Sequence, residues 1–241
     1  MLSILFYIYA SLLCTVFMIF SAVVLVLSWP FDKSRRLVHG LSQIMVHLFF
    51  GLPPFWHHRV IGLEHVDRTK SYVMVLNHRA MTDIPALYYV PLNFRWVSKR
   101  EVFRLPFFGQ FLRLHGDICI DRGHGSEAME QLLRDGGLWI SRGASVAVFP
   151  EGTRSKDGEL HRFKIGAFEL AKEAGVPILP IVLDGTTTLV KPNKAFNWHN
   201  MVTVRVLPAI SAEQVATMDV KALAAEAHQR MATELEKMKQ A

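Results

Sequence analysis

Two things are scarce in this chain: cysteine, and charge at its beginning. Of 241 residues only two are cysteine, Cys14 and Cys119, too few for a disulfide framework. One falls in an apolar run and the other in a strand-like one, so both read as small buried apolar residues in a reducing compartment. Not one Asp, Glu, Lys or Arg lies between Met1 and Trp29. That absence excludes a solvated segment: as a helix the stretch is about 43 Å long, against about 30 Å of bilayer core. It also lacks the basic start and the short apolar run of a cleaved secretory signal. No internal repeat and no low-complexity linker occurs, and 51% hydrophobic content over this length fits one α/β domain with an appendage.

Charge arrives at Asp32, Lys33, Arg35 and Arg36, a basic flank that the positive-inside rule places in the cytoplasm. The net charge is +6 with a pI near 9.4, which suits an acidic partner: nucleic acid, an anionic lipid surface or a phosphorylated substrate. Mean hydropathy is +0.22, and the apolar residues concentrate at the start. A second apolar stretch, Leu37 to Phe50, carries His39, Ser42, Gln43 and His47 and is ended by Gly51, Pro53 and Pro54. It predicts an amphipathic helix lying against the membrane or the first helix. Residues 1–56 are therefore expected to form a two-helix membrane anchor, with Tyr9, Trp29 and Trp56 available at the interface, and residues 57–241 an α/β domain.

Beyond about residue 60, short β-rich runs alternate with helical ones. Ser71 to Leu76, Phe94 to Val97, Ile118 to Ile120, Ser145 to Phe149 and Ile178 to Leu183 read as strands, several nearly continuous in apolar character as buried parallel strands are. Helices are expected over Ile84 to Tyr89, Phe107 to Leu114, Ser126 to Ser141 and Ile165 to Ala174. This alternation predicts a mainly parallel central sheet flanked by helices. Val202 to Val206 adds a possible strand, Ser211 with Gln214 a capping box, and about Val220 to Lys239 a helix with an apolar stripe.

Two segments carry chemistry. Asn77-His78-Arg79-Ala80-Met81-Thr82-Asp83 directly follows a strand, where open α/β sheets place their ligand crevice. A neutral His accepts a proton from a hydroxyl, and a carboxylate beyond a turn can hold its tautomer; the spacing is equally that of a helix cap beside a structural histidine. Phe149-Pro150-Glu151-Gly152-Thr153-Arg154-Ser155 follows another apolar strand. There Gly152 permits close backbone approach and Arg154 suits a bidentate grip on phosphate.

With these segments and two more, the chain resembles the glycerolipid acyltransferase family, especially its bacterial 1-acyl-sn-glycerol-3-phosphate branch. His78 through Asp83 matches the family's His-x4-Asp block and Phe149 through Ser155 its Phe-Pro-Glu-Gly-Thr-Arg-Ser block. Lys99-Arg100-Glu101, Leu105 to Gly109 and Gly116 to Arg122 resemble the second block, and Val176-Pro177-Ile178-Leu179-Pro180-Ile181 the fourth. The resemblance implies transfer of a fatty acyl group from acyl-CoA or acyl carrier protein to lysophosphatidic acid, giving phosphatidic acid at a cytoplasmic membrane face. It implies His78 and Asp83 as catalytic base and orienting acid, with no covalent acyl-enzyme and no cofactor. Lys99, Arg122, Glu151, Gly152, Thr153 and Arg154 are implied to form the phosphate-binding set. The oxyanion donor is not carried by any motif; backbone N–H groups near the His78 turn are one option. Transfer to another lysolipid or amino-acid lipid, and a membrane lipid-binding protein without activity, are the alternatives.

Other motifs carry less. Gly143 to Ala147 approximates a nucleophile elbow, but its serine begins a strand instead of following one. Gly123 to Ala128 approximates a dinucleotide fingerprint, yet apolar Val146 to Val148 stands where a ribose-binding acid is required. His57-His58 lacks partners at metal-ligand spacing, and dispersed basic residues disfavour nucleic acid.

Overall fold

The computed structural model of the protein describes residues 2–51, 56–121, 123, 125–188, 197 and 200–240. Helices α1 (Leu2–Ser28) and α2 (Arg36–Gly51) come first. They are followed by β1 (Trp56–Ile61), β2 (Val73–Leu76), α3 (Asp83–Ala86), β3 (Phe94–Lys99), α4 (Arg100–Phe103), α5 (Phe108–His115) and β4 (Ile118–Ile120). Then come α6 (Gly125–Ser141), β5 (Ser145–Val148), α7 (Gly166–Ala174), β6 (Ile178–Asp184), β7 (Asn200–Val206), α8 (Ala212–Thr217) and α9 (Val220–Gln240).

The strands form one sheet in the order β1-β7-β6-β2-β5-β3-β4. Every pairing is parallel except that of β6 with β7. The expected mainly parallel α/β architecture is thus present, and the apolar continuity of β2 has a simple cause. Val73 and Val75 point into a core shared with α6, α7 and α9, while Met74 and Leu76 point into a second core shared with α2 and α3. The stripe on α9 is core: Leu223, Ala227, Met231 and Leu235 are buried. The capping box at α8 forms as expected, Ser211 Oγ accepting from Gln214 N at 3.2 Å and Ser211 N donating to Gln214 Oε1 at 3.1 Å.

One strand was not anticipated, and two local expectations are corrected. Trp56–Ile61 is a strand, β1, zippered in parallel to β7 from Trp56↔Asn200 to Ile61↔Arg205; as an edge strand it tolerates the polar His-His-Arg sequence. The helix over Ile84 to Tyr89 is one turn of α3 followed by a 3₁₀ turn, Leu87–Tyr89. The cysteines are less buried than their surroundings in the sequence imply: Cys14 is exposed, Cys119 is partly so, and both are free.

Among the described residues α1 is the one helix long and apolar enough to cross a membrane, over Ser11–Ser28. Leu5, Ile8, Leu12, Val16, Ile19, Val23 and Leu27 recur every three or four residues and are exposed, making one lengthwise outward stripe. The opposite side carries the buried Ser21 and Ser28, and near the start of the helix Tyr9 OH donates to Leu48 O of α2 at 3.0 Å. Asp32 caps α2 by accepting from Arg36 N at 3.0 Å and Leu37 N at 2.8 Å. Val46 and Phe50 of α2 then enter the core beneath the sheet, so the second helix of the expected anchor is also part of the α/β body. A polar cluster ties them together: Arg95, fully buried on β3, donates to the carbonyls of Ser34 and Arg35. Beside it, His115 Nδ1 lies 2.7 Å from Asp117 Oδ1, and His115 Nε2 lies 2.9 Å from His39 Nδ1.

Candidate active site

Since β2, β5, β3 and β4 are adjacent and parallel, their carboxyl ends lie along one edge of the sheet. His78 follows β2, the Phe149 to Ser155 loop follows β5 and Lys99 ends β3. With strands about 4.8 Å apart, β2 and β3 are separated by roughly 10 Å, the reach of one small phosphorylated substrate. Arg122, expected beside them after β4, lies outside the described residues.

Asn77 opens the site. Its side chain extends the β2–β6 ladder, the amide donating to Leu183 O at 2.9 Å and accepting from Leu183 N at 2.8 Å. The chain then turns tightly, because one oxygen of fully buried Asp83 accepts from Arg79 N at 2.7 Å and Ala80 N at 2.8 Å. The same Oδ2 lies 2.8 Å from His78 Nδ1. A carboxylate there accepts a hydrogen bond from Nδ1–H, which fixes the tautomer and leaves the lone pair on Nε2. The imidazole is clamped from its face as well: it stacks on Phe149 at 3.9 Å and 13°, and Phe149 stacks on Trp96 at 4.9 Å and 18°. The side chain is 15% exposed, enough for one edge of the ring to meet a substrate.

The two motif loops converge. Ser155 N donates to His78 O at 2.8 Å, and His78 N donates to Glu151 Oε1 at 2.9 Å. The other oxygen of Glu151 accepts from His161 N at 3.0 Å. Burial pushes the Glu151 carboxyl upward, and these two N–H donors oppose that push. Both oxygens are thereby engaged within the protein, so Glu151 braces the loops and does not reach toward a bound anion. The oxyanion option also changes: the N–H groups of His78, Arg79 and Ala80 are all taken by Glu151 and Asp83. Gly152 adopts φ +78, a left-handed turn that glycine makes without strain.

Cations ring the crevice. Arg79 is held by Asp184 at 3.1 Å and Arg100 by Asp121 at 2.9 Å. Lys99, Thr153 and Arg154 are exposed, and neither of the two cations has a carboxylate partner among the described residues. Lys164, outside the recognised blocks, lies over Gly152. No group of three or more metal-ligating side chains occurs among the described residues. Such a site can accept a proton at His78 Nε2, and the exposed cations on the neighbouring strand ends can attract an anion, as esterification of a phosphorylated alcohol needs.

Residues 57–184, just over half of the chain, match the family model described as Acyltransferase. The chain belongs to the acyltransferase family. Among its relatives, the 1-acyl-sn-glycerol-3-phosphate acyltransferase of Escherichia coli (strain K12) is 33% identical over 183 residues, covering 74% of each chain. The human beta form of that enzyme is 34% identical over 169 residues, covering 70% of this chain and 61% of that one. A chloroplastic form from Brassica napus is 35% identical over 158 residues, covering 65% and 45%. The chain spans about half the length of the chloroplastic relatives, 45% and 53%. In fold, this acyltransferase is like the crystal structure of the 1-acyl-sn-glycerophosphate acyltransferase from Thermotoga maritima: TM-score 0.75 at 21% identity, covering 98% and 96% of the two chains.

Proposed function

We propose that this acyltransferase moves a fatty acyl group from a thioester, acyl-CoA or acyl carrier protein, to the free sn-2 hydroxyl of lysophosphatidic acid, giving phosphatidic acid. The observation that carries the reading is the 2.8 Å contact of His78 Nδ1 with buried Asp83, beside the loop that carries exposed Arg154, which has no carboxylate partner among the described residues. The substrate hydroxyl gives its proton to His78 Nε2 while its oxygen attacks the thioester carbonyl. The tetrahedral adduct then collapses, the thiolate leaves, and it takes the proton back from Nε2. Asp83 stabilises the imidazolium between those two steps. Arg154 and Lys99 hold the acceptor's phosphate, Thr153 lines the same rim, and Gly152 and Glu151 shape the loop that presents them. Arg122 belongs to this set on the strength of its motif.

The outward stripe of α1 enters lipid, so the acceptor and both acyl chains are met at the membrane surface. The basic residues after α1, Lys33, Arg35 and Arg36, favour the cytoplasmic side of a bacterial inner membrane. Residues 1–56 act as the attachment unit and 57–241 as the acyltransferase domain.

The test is turnover of the purified protein in detergent micelles, with acyl-CoA and acyl carrier protein as separate donors. Lysophosphatidic acid, a lysophospholipid with a larger head group and an amino-acid lipid are offered as acceptors. Lysophosphatidic acid should be acylated fastest. Preference for an acceptor without a terminal phosphate, or lipid binding without turnover, would overturn the reading.

A further inference from the structure

One cation at the crevice belongs to none of the motif blocks. Lys164 lies beyond the Phe149 to Ser155 loop in sequence but is tied back to it, its N–H donating to Pro150 O at 2.9 Å. From that anchor the side chain lies flat across the loop at Gly152. A Cβ built on Gly152 would stand 3.0 Å from Lys164 Cε and Nζ and 3.4 Å from Cδ. The glycine therefore does two things: it makes the left-handed turn, and it clears the track along which the lysine runs.

Charge makes this position informative. The nearby cations Arg79 and Arg100 are each neutralised by an aspartate. Lys164 has no such partner among the described residues, although it crosses the residue next to a glutamate. Glu151 is turned inward, both oxygens occupied by the N–H groups of His78 and His161, so it does not neutralise the ammonium. An ammonium lying by its stem along the loop that carries Arg154, with no countercharge among the described residues, is placed to receive one from outside. Its three rotatable donors need no planar match, which suits a phosphate already gripped elsewhere by a guanidinium.

We infer that Lys164 is a further ligand for the acceptor's phosphate, its ammonium lying against Gly152, two residues from Arg154 in the loop. The inference rests on the lysophosphatidic acid reading above.

The test compares wild type, Lys164→Met and Lys164→Arg in steady-state kinetics, with lysophosphatidic acid and acyl-CoA varied separately. Loss of one charge-assisted contact should raise KM for lysophosphatidic acid roughly ten- to a hundredfold in Lys164→Met. The KM for acyl-CoA should stay unchanged and kcat should stay within about threefold, because the His78–Asp83 pair is intact. Lys164→Arg should recover most of the acceptor KM. Equal rises in both KM values would mean a structural role, and a rise for the donor alone a role in donor binding; either overturns the inference. So does an unchanged acceptor KM in Lys164→Met while wild type turns over. A wild type that makes no phosphatidic acid sinks the proposed function first and this inference with it.

Discussion

Replacing Asp83 by Asn keeps the shape of the site and removes one charge. The oxygen that would remain accepts three N–H groups, from His78 at 2.8 Å, Arg79 at 2.7 Å and Ala80 at 2.8 Å. An amide oxygen in that place keeps the turn and the ring orientation. What disappears is the attraction between a carboxylate and the imidazolium that, in the proposed mechanism, forms when His78 takes the substrate's proton. Opposite unit charges about 4 Å apart attract by about 4 kcal/mol at an effective dielectric near 20. Since each 1.4 kcal/mol is a factor of ten, kcat should fall about a thousandfold. The assay is transfer of a labelled acyl group from acyl-CoA to lysophosphatidic acid at saturating substrates, normalised to folded protein by circular dichroism. His78→Ala alone should lose about 10²–10⁴-fold, and the double variant should be no slower, because the two groups act as one unit. Asp83→Asn retaining a tenth or more of wild-type kcat would refute the assigned role, and a double variant clearly slower than His78→Ala would refute the coupling.

Glu151→Ala leaves the N–H groups of His78 and His161 without their acceptor, at about 1–3 kcal/mol for an enclosed donor. Its urea midpoint and its activity should therefore fall together. Gly116→Ala places a Cβ 2.5 Å from the Trp139 ring at φ +90, so thermal unfolding should show a loss of about 2–4 kcal/mol from overpacking and left-handed strain. Burial pushes the fully enclosed His115 below its usual 6.5, against the pull of Asp117. The unfolded chain then binds a proton that the folded one refuses, and the sign follows: stability is full above about pH 6.5 and drains away below it. The slope approaches about 1.4 kcal/mol per pH unit for this one group. Unfolding midpoints measured from pH 7.5 to 5 should show the decline, and His115→Asn should lessen it, because burial holds the neighbouring His39 below its usual value as well.

Strands covered on both faces announced themselves in the sequence because burial alone selects runs such as Val73 to Leu76 and Ile178 to Leu183. The His78 and Glu151 loops were legible for a related reason: a turn that must follow a strand and present particular side chains tolerates few residue types. Edge strand β1 was not, since its pairing partner β7 lies far along the chain and nothing in Trp-His-His-Arg signals that distant ladder. Arg95 is the opposite surprise, a cation within a strand that is nonetheless fully buried. Besides the Asn93 side-chain oxygen, its partners are carbonyls of Ser34, Arg35 and Phe94, groups that every sequence has and that no pattern distinguishes. The inward turn of Glu151 and the placement of Lys164 were hidden likewise, because both depend on which way a loop faces and not on which residues compose it.

Anyone wishing to make a water-soluble form of this protein is constrained by where α2 goes. Deleting everything ahead of β1 would pull Val46 and Phe50 out of the core and strip Arg95 of the carbonyls it serves. The workable edit is cosmetic by comparison: keep both helices and recolour the outer surface of α1, exchanging Leu5, Leu12, Ile19 and Val26 for charged residues. Detergent dependence would then be separable from folding, on opposite sides of a single helix.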